Sequence, residues 1–143
     1  MFVQNLQMQE QLCIDKYKFY AQQAKDPELR SLFERIGHSE QTHHDALTAL
    51  MNGKITDIHT EGPAAVSYKP GAQYKGRAAD RQHDAFLCTD SITTEKSVAT
   101  EYNGDLFHFV APEARSLLND IQTEEQNHAE WLYQYKDAHG MTS

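Results

Sequence analysis

The feature that most constrains this chain is an internal repeat. Shifting the sequence by 85 positions places residues 8–50 on residues 93–135 without a gap, and 12 of the 43 pairs are identical. Ordinary residue usage predicts only about two or three chance identities over such a span. The identical pairs are Glu10/Glu95, Tyr17/Tyr102, Pro27/Pro112, Glu28/Glu113, Arg30/Arg115, Ser31/Ser116, Leu32/Leu117, Ile36/Ile121, Glu40/Glu125, Gln41/Gln126, His43/His128 and Leu47/Leu132. The chain is therefore expected to contain one structural unit twice.

Each copy of the repeat has the pattern of two helices separated by a proline. Pro27 and Pro112 lie near the middle of the two copies, and proline fits the first turn of a helix but not its interior. Asp26 is a suitable capping residue before Pro27. Apolar residues recur at helical spacing on both sides of each proline. The predicted helices are 2–25, 27–51, 79–109 and 112–138.

Short connections at the two prolines make each copy an antiparallel hairpin. The segment between the copies is rich in glycine and proline and is long enough to run the length of a bundle. Such a crossover allows the second and third helices to be parallel. We predict an all-α fold, a four-helix bundle of two repeated hairpins joined by a long crossover. The expected division of a single domain over 1–143 is repeat 1 at about 2–51, linker 52–78 and repeat 2 at about 79–138.

Charge and hydropathy exclude several functions. The chain has 13 Lys and Arg against 21 Asp and Glu, a net charge of -8, which argues against nucleic-acid and anionic-membrane surfaces. No apolar run approaches the roughly 18 to 20 residues of a bilayer span, and the first residues lack a secretory-signal pattern. We expect Cys13 and Cys88 to be buried apolar residues, and the protein to be intracellular.

Six titratable residues stand on the helix stripes where apolar residues are expected. Each copy carries a lone Glu followed, 30 residues later, by a Glu-x-x-His unit. Glu and His three residues apart share a helix face, so each unit aims a carboxylate and an imidazole at one point. The six candidate metal ligands are Glu10, Glu40, His43, Glu95, Glu125 and His128. The alternative is that these residues are solvated charges, which is the common situation for helical Glu.

Four buried carboxylates require a cationic partner, because an isolated buried charge costs several kcal/mol. Two divalent ions balance four carboxylates, and neutral imidazoles complete the ligand set. Oxygen and imidazole ligands suit iron and manganese, and the absence of thiolate ligands argues against a structural zinc site. The sequence therefore predicts a site for two divalent metal ions.

A tyrosine follows each lone Glu by seven residues. Tyr17 and Tyr102 lie two turns beyond Glu10 and Glu95 on the same helix faces. We predict that each phenol hydrogen-bonds a ligand carboxylate, one from the other half of the chain, and assign both tyrosines to the catalytic site. The alternative for each is an ordinary core tyrosine with a satisfied hydroxyl.

The other six histidines, Glu34 and Glu124 are expected to be exposed. His38, His44, His108 and His139 lie off the apolar stripes, and His59 and His83 lie in or near the linker. His44, next to His43, is expected to approach the edge of the site. Glu34 and Glu124 are interpreted as surface charges. The linker residues Tyr68 and Tyr74 are candidates for packing or cross-linking.

With these residues in place, the chain resembles two groupings of proteins. A Glu from each of two helices and a Glu-x-x-His from the other two is the ligand set of ferritin-like di-iron and di-manganese proteins. The phrases that resemble the coat F family of bacterial spore-coat proteins are LCIDKYKFYAQQAKDPELRSLF, LCTDSITTEKSVATEY and NDIQTEEQNHAEWLYQYKDAHGM. The resemblance implies a ferritin-like bundle and a location in the spore coat or forming spore of a bacterium.

The resemblance also implies a chemistry. Related proteins oxidise ferrous iron or act on peroxide, so the implied cofactor is a pair of iron ions in preference to manganese. Glu40 and Glu125 would bridge the ions, and the oxidant would be peroxide or dioxygen. The chain lacks a four-cysteine rubredoxin module, so peroxidase turnover would need an external electron donor. Coat proteins or further copies of the chain are the expected protein partners.

Two other functions remain open. In the first, the bundle is a structural coat component, and its metal site is stabilising or vestigial. In the second, the protein stores iron in a cage, although nothing in the sequence specifies a cage.

Overall fold

The chain is all-helical in the part that the computed structural model describes, residues 2–60, 62, 68–71, 73–109 and 111–142. The four helices are α1 (Phe2–Gln23), α2 (Pro27–Met51), α3 (Ala78–Asp105) and α4 (Pro112–Ala138). The prediction of four helices without strands is confirmed for these residues. The predicted linker lies partly outside the described residues, as do both ends of the predicted domain, Met1 and Ser143.

Helix α1 ends at Gln23, two residues before its predicted end, because a carboxylate from α3 takes over the next backbone donors. The N–H groups of Lys25 and Asp26 each donate to the carboxylate of Asp84 at 2.9 Å. Asp26 then caps α2, its own carboxylate accepting from a backbone N–H in the first turn of that helix. The first hairpin is therefore closed by a buried acid of the second.

The predicted third helix was too long. Its α-helical part ends at Asp105, and the chain tightens into a 3₁₀ turn, Leu106–His108, before Phe109 becomes extended. The carbonyl of Phe109 accepts a hydrogen bond from Arg115 Nη1 at 3.1 Å. A tighter turn is a common end for a helix, because it satisfies carbonyls that lack α-helical partners.

Arg30, the repeat equivalent of Arg115, closes the first hairpin in the same way. Its guanidinium donates to the carbonyls of Ala21 and Ala24 at 3.3 and 3.2 Å. Both arginines thus satisfy carbonyls at the end of the preceding helix. The repeat extends from the sequence to the closing contacts of the two hairpins.

The hairpins pack with α1 against α3 and α2 against α4. Glu10 meets Tyr102 and Tyr17 meets Glu95, so residue numbers rise along α1 as they fall along α3. Helices α1 and α3 are therefore antiparallel. Since Gln7 near the start of α1 reaches Thr48 near the end of α2, α1 is antiparallel to α2 as well.

The second and third helices consequently run in the same direction, as the long linker allows. Its described residues are held to the bundle by two tyrosines. Tyr68 donates to Glu28, and Tyr74 donates to Asp84 at 2.7 Å. Gly71 N–H also donates to Glu28, and a Cβ at this position would lie 2.8 Å from a carboxylate oxygen, so glycine suits the close approach. Tyr68 and Tyr74 make packing contacts; cross-linking stays a prediction.

The apolar stripes form one core along the bundle axis. Most stripe residues are fully buried, and those at the helix ends, such as Val3 and Leu50, pack partly buried against it. Cys13 and Cys88 are free and buried as predicted, and burial raises the pKa of both thiols. Among the described helices, none has both the length and the apolar character needed to cross a bilayer.

Candidate metal centre

The six candidate ligands all point into the core at the middle of the bundle. Their side chains belong to residues that are at most 1% exposed. Helices α1 and α3 each supply one carboxylate, and α2 and α4 each supply a carboxylate and an imidazole: Glu10, Glu95, Glu40 with His43, and Glu125 with His128. The alternative of solvated surface charges is wrong for these six residues.

Two overlapping groups arise from these six side chains. In each group the four ligand atoms lie within 4.8 Å of one another. The Glu10 group contains Glu10, Glu40, His43 and Glu125, and the Glu95 group contains Glu40, Glu95, Glu125 and His128. Glu40 and Glu125 belong to both. A bridging role for these two carboxylates stays a prediction.

Both imidazoles turn Nδ1 toward the carboxylates. His43 Nδ1 lies 2.8 Å from Glu125 Oε1 and 3.5 Å from Glu10 Oε1. His128 Nδ1 lies 3.1 Å from Glu40 Oε1 and 3.4 Å from Glu95 Oε1. These nitrogen and oxygen atoms are close enough for ion pairs, but the contacts are not hydrogen bonds.

Eight buried polar atoms of the site consequently have no hydrogen-bond partner. They are Glu10 Oε2, both oxygens of Glu40, His43 Nδ1, Glu95 Oε2, both oxygens of Glu125 and His128 Nδ1. Buried polar atoms in folded proteins are almost always paired, because leaving one unpaired costs about 1 to 3 kcal/mol. Unpaired carboxylate oxygens and imidazole nitrogens that converge on two points fit a pair of divalent cations.

The pKa values of these side chains point to the same requirement for positive charge. Burial, followed by the Glu40 carboxylate, raises the pKa of Glu10 to about 8. Burial likewise raises the pKa of Glu125 well above its usual range, with Glu40 adding to the effect. Burial also disfavours the charged form of Glu40, but the neighbouring imidazoles of His128 and His43 outweigh it and hold its pKa low.

The imidazoles respond in the opposite sense. Burial lowers the pKa of His128, but Glu95 and Glu40 outweigh it and raise the value to about 9. Burial lowers the pKa of His43 too, and Glu10 raises it well above the ordinary value. Without metal, protons on the imidazoles therefore provide the charge that the carboxylates require.

The two predicted tyrosine hydrogen bonds are present, and each crosses between the repeats. Tyr17 donates to Glu95 Oε1 at 2.5 Å, and Tyr102 donates to Glu10 Oε1 at 2.7 Å. Burial and these carboxylates raise the pKa of both phenols, so both stay protonated donors. Each phenol occupies one carboxylate oxygen and leaves the other, Oε2, unpaired. A catalytic role for either tyrosine stays a prediction.

Glu124 was misinterpreted as a surface charge. Its Oε1 lies 2.5 Å from His43 Nε2, and its side chain is only 21% exposed. The equivalent residue in the first copy, Ser39, has its hydroxyl 3.0 Å from His128 Nε2. Each imidazole thus meets the residue that precedes the shared Glu of the other hairpin. If Nδ1 binds a cation, Nε2 carries the proton and donates a hydrogen bond, from His43 to Glu124 and from His128 to Ser39.

A groove between α3 and α4 reaches the site from the surface. It encloses about 650 Å³, and Glu95 and Glu125 belong to its lining. Ala99 and Ala129 line it as well. We call it the α3/α4 groove. Sequence reasoning did not identify it, although the small residues at positions 99 and 129 were a possible signal.

The other six histidines lie outside the two central ligand groups, and three of them are exposed as expected. His38, His59 and His108 are exposed, and His44 and His83 are half-buried. His139 was expected to be exposed but is buried, with Nε2 3.0 Å from Glu28 Oε1 and its ring against Tyr135. The exposed position of Glu34 agrees with its interpretation as a surface charge.

A third group of possible ligands, Asp26, Glu28 and His139, lies at the end of the bundle. Its carboxylates already accept hydrogen bonds from protein donors. Tyr135 donates to Asp26 at 2.5 Å, and Tyr68 donates to Glu28. The group differs from the central site, where the carboxylate oxygens shared by both groups lack such donors. Its geometry is that of a polar contact that holds the linker and α4 to the start of α2.

Comparison with known proteins gives one match. The family model of the Coat F domain matches residues 83–143, which contain α4, most of α3 and the candidate ligands Glu95, Glu125 and His128. The match supports the resemblance to the coat F family over that part of the chain, and the first copy of the repeat lies outside it. No curated protein and no solved structure matches the chain.

Proposed function

We propose that the chain is a ferritin-like protein that binds two divalent metal ions between its hairpins. The observation that carries this proposal is the convergence of four buried carboxylates and two imidazoles on two points, with eight of their atoms unpaired. The Glu10 group would hold one ion and the Glu95 group the other, with Glu40 and Glu125 shared. Two divalent ions neutralise four carboxylates, which removes the electrostatic cost of the site.

Iron is the preferred metal over manganese, and the proposed activity is a redox reaction with peroxide, dioxygen or ferrous iron. When bound, such ions supply the electrons that are exchanged with the oxygen species. The protein supplies the neutralising carboxylates, and Tyr17 and Tyr102 fix two of them by hydrogen bonds. Glu124 and Ser39 orient the two imidazoles.

The Coat F match supports a location in the spore coat or forming spore of a bacterium. Coat proteins, or other copies of this chain, are then the proposed protein partners. An oxidant-consuming site in such a layer would act on small molecules that reach the spore.

The proposal is tested by metal analysis and by oxygen consumption on addition of ferrous iron. We expect wild-type protein to bind iron and to oxidise ferrous ions, and Glu40→Ala to lose both properties because Glu40 belongs to both groups. Glu34→Ala, on the exposed side of the same helix, is the matched control and should behave as wild type. Unchanged oxidation by Glu40→Ala would contradict the proposal.

The second candidate function is a structural coat component, and the match to a coat family is the observation that favours it. In that case metal stabilises the bundle without turning over. Full metal occupancy together with no consumption of peroxide or dioxygen would favour this function over the redox one.

A further inference from the structure

The two sides of the bundle differ in how closely they cover the site. On the side of the second copy, the α3/α4 groove extends inward to Glu95 and Glu125. On the side of the first copy, a smaller groove of about 440 Å³ lies between α1 and α2. None of the six candidate ligands lines that smaller groove, whose residues are Ile14, Lys18, Glu34, Gly37, His38 and Gln41.

The difference follows from side-chain size at equivalent positions of the repeat. Ala99 and Ala129 in the α3/α4 groove correspond to Ile14 and His44 in the first copy. Both of the larger residues are half-buried, so part of each side chain fills space between the helices. Two alanines leave that space open, and the groove then reaches the carboxylates beneath it.

We propose that the α3/α4 groove is the binding site through which small uncharged or monoanionic ligands reach the Glu95 group. The inference rests on the proposed function, since it assigns a ligand path to the proposed metal centre. Glu95, which belongs to the Glu95 group alone, lines this path, whereas Glu10 and His43, which belong to the Glu10 group alone, do not. The two metal positions therefore differ in access, although their ligand sets are equivalent.

The charge of the groove selects this class of ligand. Its inner lining contains two carboxylates, Glu95 and Glu125, whose charge the two proposed ions would offset, so the groove has no net positive charge to hold a multiply charged anion. Lys96 and Glu130 carry opposite charges in the lining, and the remaining polar residues are neutral amides and hydroxyls. Peroxide and dioxygen meet this description, and azide is a monoanionic probe of similar size.

The experiment compares azide binding to cobalt(II)-loaded variants by visible absorption. Ala99→Ile places the first copy's residue in the α3/α4 groove, and Ile14→Ala opens the opposite side as the matched control. We expect Ala99→Ile to keep two cobalt ions but to raise the azide Kd by about tenfold or more. Ile14→Ala should keep the wild-type Kd.

The outcomes separate this inference from the proposed function. Failure of wild-type protein to bind cobalt would overturn both. Two bound cobalt ions with no azide binding, or with the same azide Kd in Ala99→Ile, would overturn the groove assignment alone. A larger change in Ile14→Ala than in Ala99→Ile would also overturn it. If Ala99→Ile fails to fold by circular dichroism, Ala129→Leu, at the other alanine of the groove, decides between the same outcomes.

Discussion

The two hairpins of this molecule have the same pattern of three candidate ligands in different surroundings. The three candidate ligands and the tyrosine of each hairpin are identical in the two copies. Residues one layer out have diverged: Glu124 stands where the first copy has Ser39, and Ala99 stands where it has Ile14. The comparison teaches that a symmetric set of candidate ligands can have unequal surroundings, because the residues around it set the imidazole partners and the access from solvent.

The largest expected effect distinguishes the candidate ligands that belong to both groups from those that belong to one group. Glu125→Ala removes a carboxylate of both groups, whereas Glu10→Ala removes one from the Glu10 group alone. We expect Glu125→Ala to lose both ions and Glu10→Ala to keep one, measured as metal per chain by elemental analysis. Equal metal content in the two variants would contradict the division into two groups.

The next largest expected effect is competition between protons and metal ions for the candidate ligands. In the metal-free protein, burial and the Glu40 carboxylate raise the pKa of Glu10 to about 8. Burial lowers the pKa of His128, but Glu95 outweighs it and raises the value to about 9. Below these values both groups hold a proton that an ion must displace, so metal affinity falls as the pH falls.

The expected decrease is about tenfold for each pH unit and each displaced proton. Calorimetric titrations with cobalt(II) in buffers of different ionisation enthalpy measure both the affinity and the protons released. Release of no protons near neutral pH would contradict the shifted pKa values.

Removal of the Tyr17 and Tyr102 hydroxyls tests whether the tyrosines of the two copies support the candidate ligands equally. Tyr17→Phe and Tyr102→Phe each delete one hydrogen bond to a ligand carboxylate, on Glu95 and Glu10 respectively. Loss of such an orienting partner typically weakens metal binding by about 10- to 100-fold. We expect similar losses for the two variants in cobalt titrations. An unchanged affinity in both would show that these are ordinary core tyrosines.

The smallest expected effect concerns Glu124 and Ser39, the residues that contact Nε2 of the two imidazoles. The Glu124 carboxylate on His43 Nε2 would make that imidazole a stronger metal ligand than His128, whose Nε2 meets only the Ser39 hydroxyl. Wild-type protein should therefore bind its two ions in separate steps. Glu124→Ser makes the two copies alike, and we expect it to weaken the first step by about tenfold and bring the steps together. Two well-separated binding steps in Glu124→Ser would show that another residue causes the difference in affinity between the two ions.

Much of the fold follows from local sequence signals. Helix starts at Pro27 and Pro112 were predicted correctly, because proline restricts the backbone whatever surrounds it. The ends of α1 and α3 were predicted too late. The end of α1 depends on a contact distant in sequence, the Asp84 carboxylate that binds the backbone after it. Helix α3 ends in a 3₁₀ turn, which helical periodicity does not distinguish from an α-helix.

The candidate site likewise contains residues that helical periodicity identifies and residues whose position depends on packing between helices. Glu40 and Glu125 were recognised because charged residues on an apolar stripe must point inward. Glu124 was missed because it adjoins Glu125 but lies off the apolar stripe of α4. Its partner, His43, is on the other hairpin, and no pattern within one helix specifies that contact. His139 was missed for a similar reason, since its burial depends on Glu28 and Tyr135.

Anaerobic titration of the metal-free protein with ferrous iron tests the central claim most directly. The account predicts that wild-type protein binds two ions per chain, and that Glu125→Ala binds neither. Binding of fewer than two ions by wild-type protein, or of two ions by Glu125→Ala, would contradict the account.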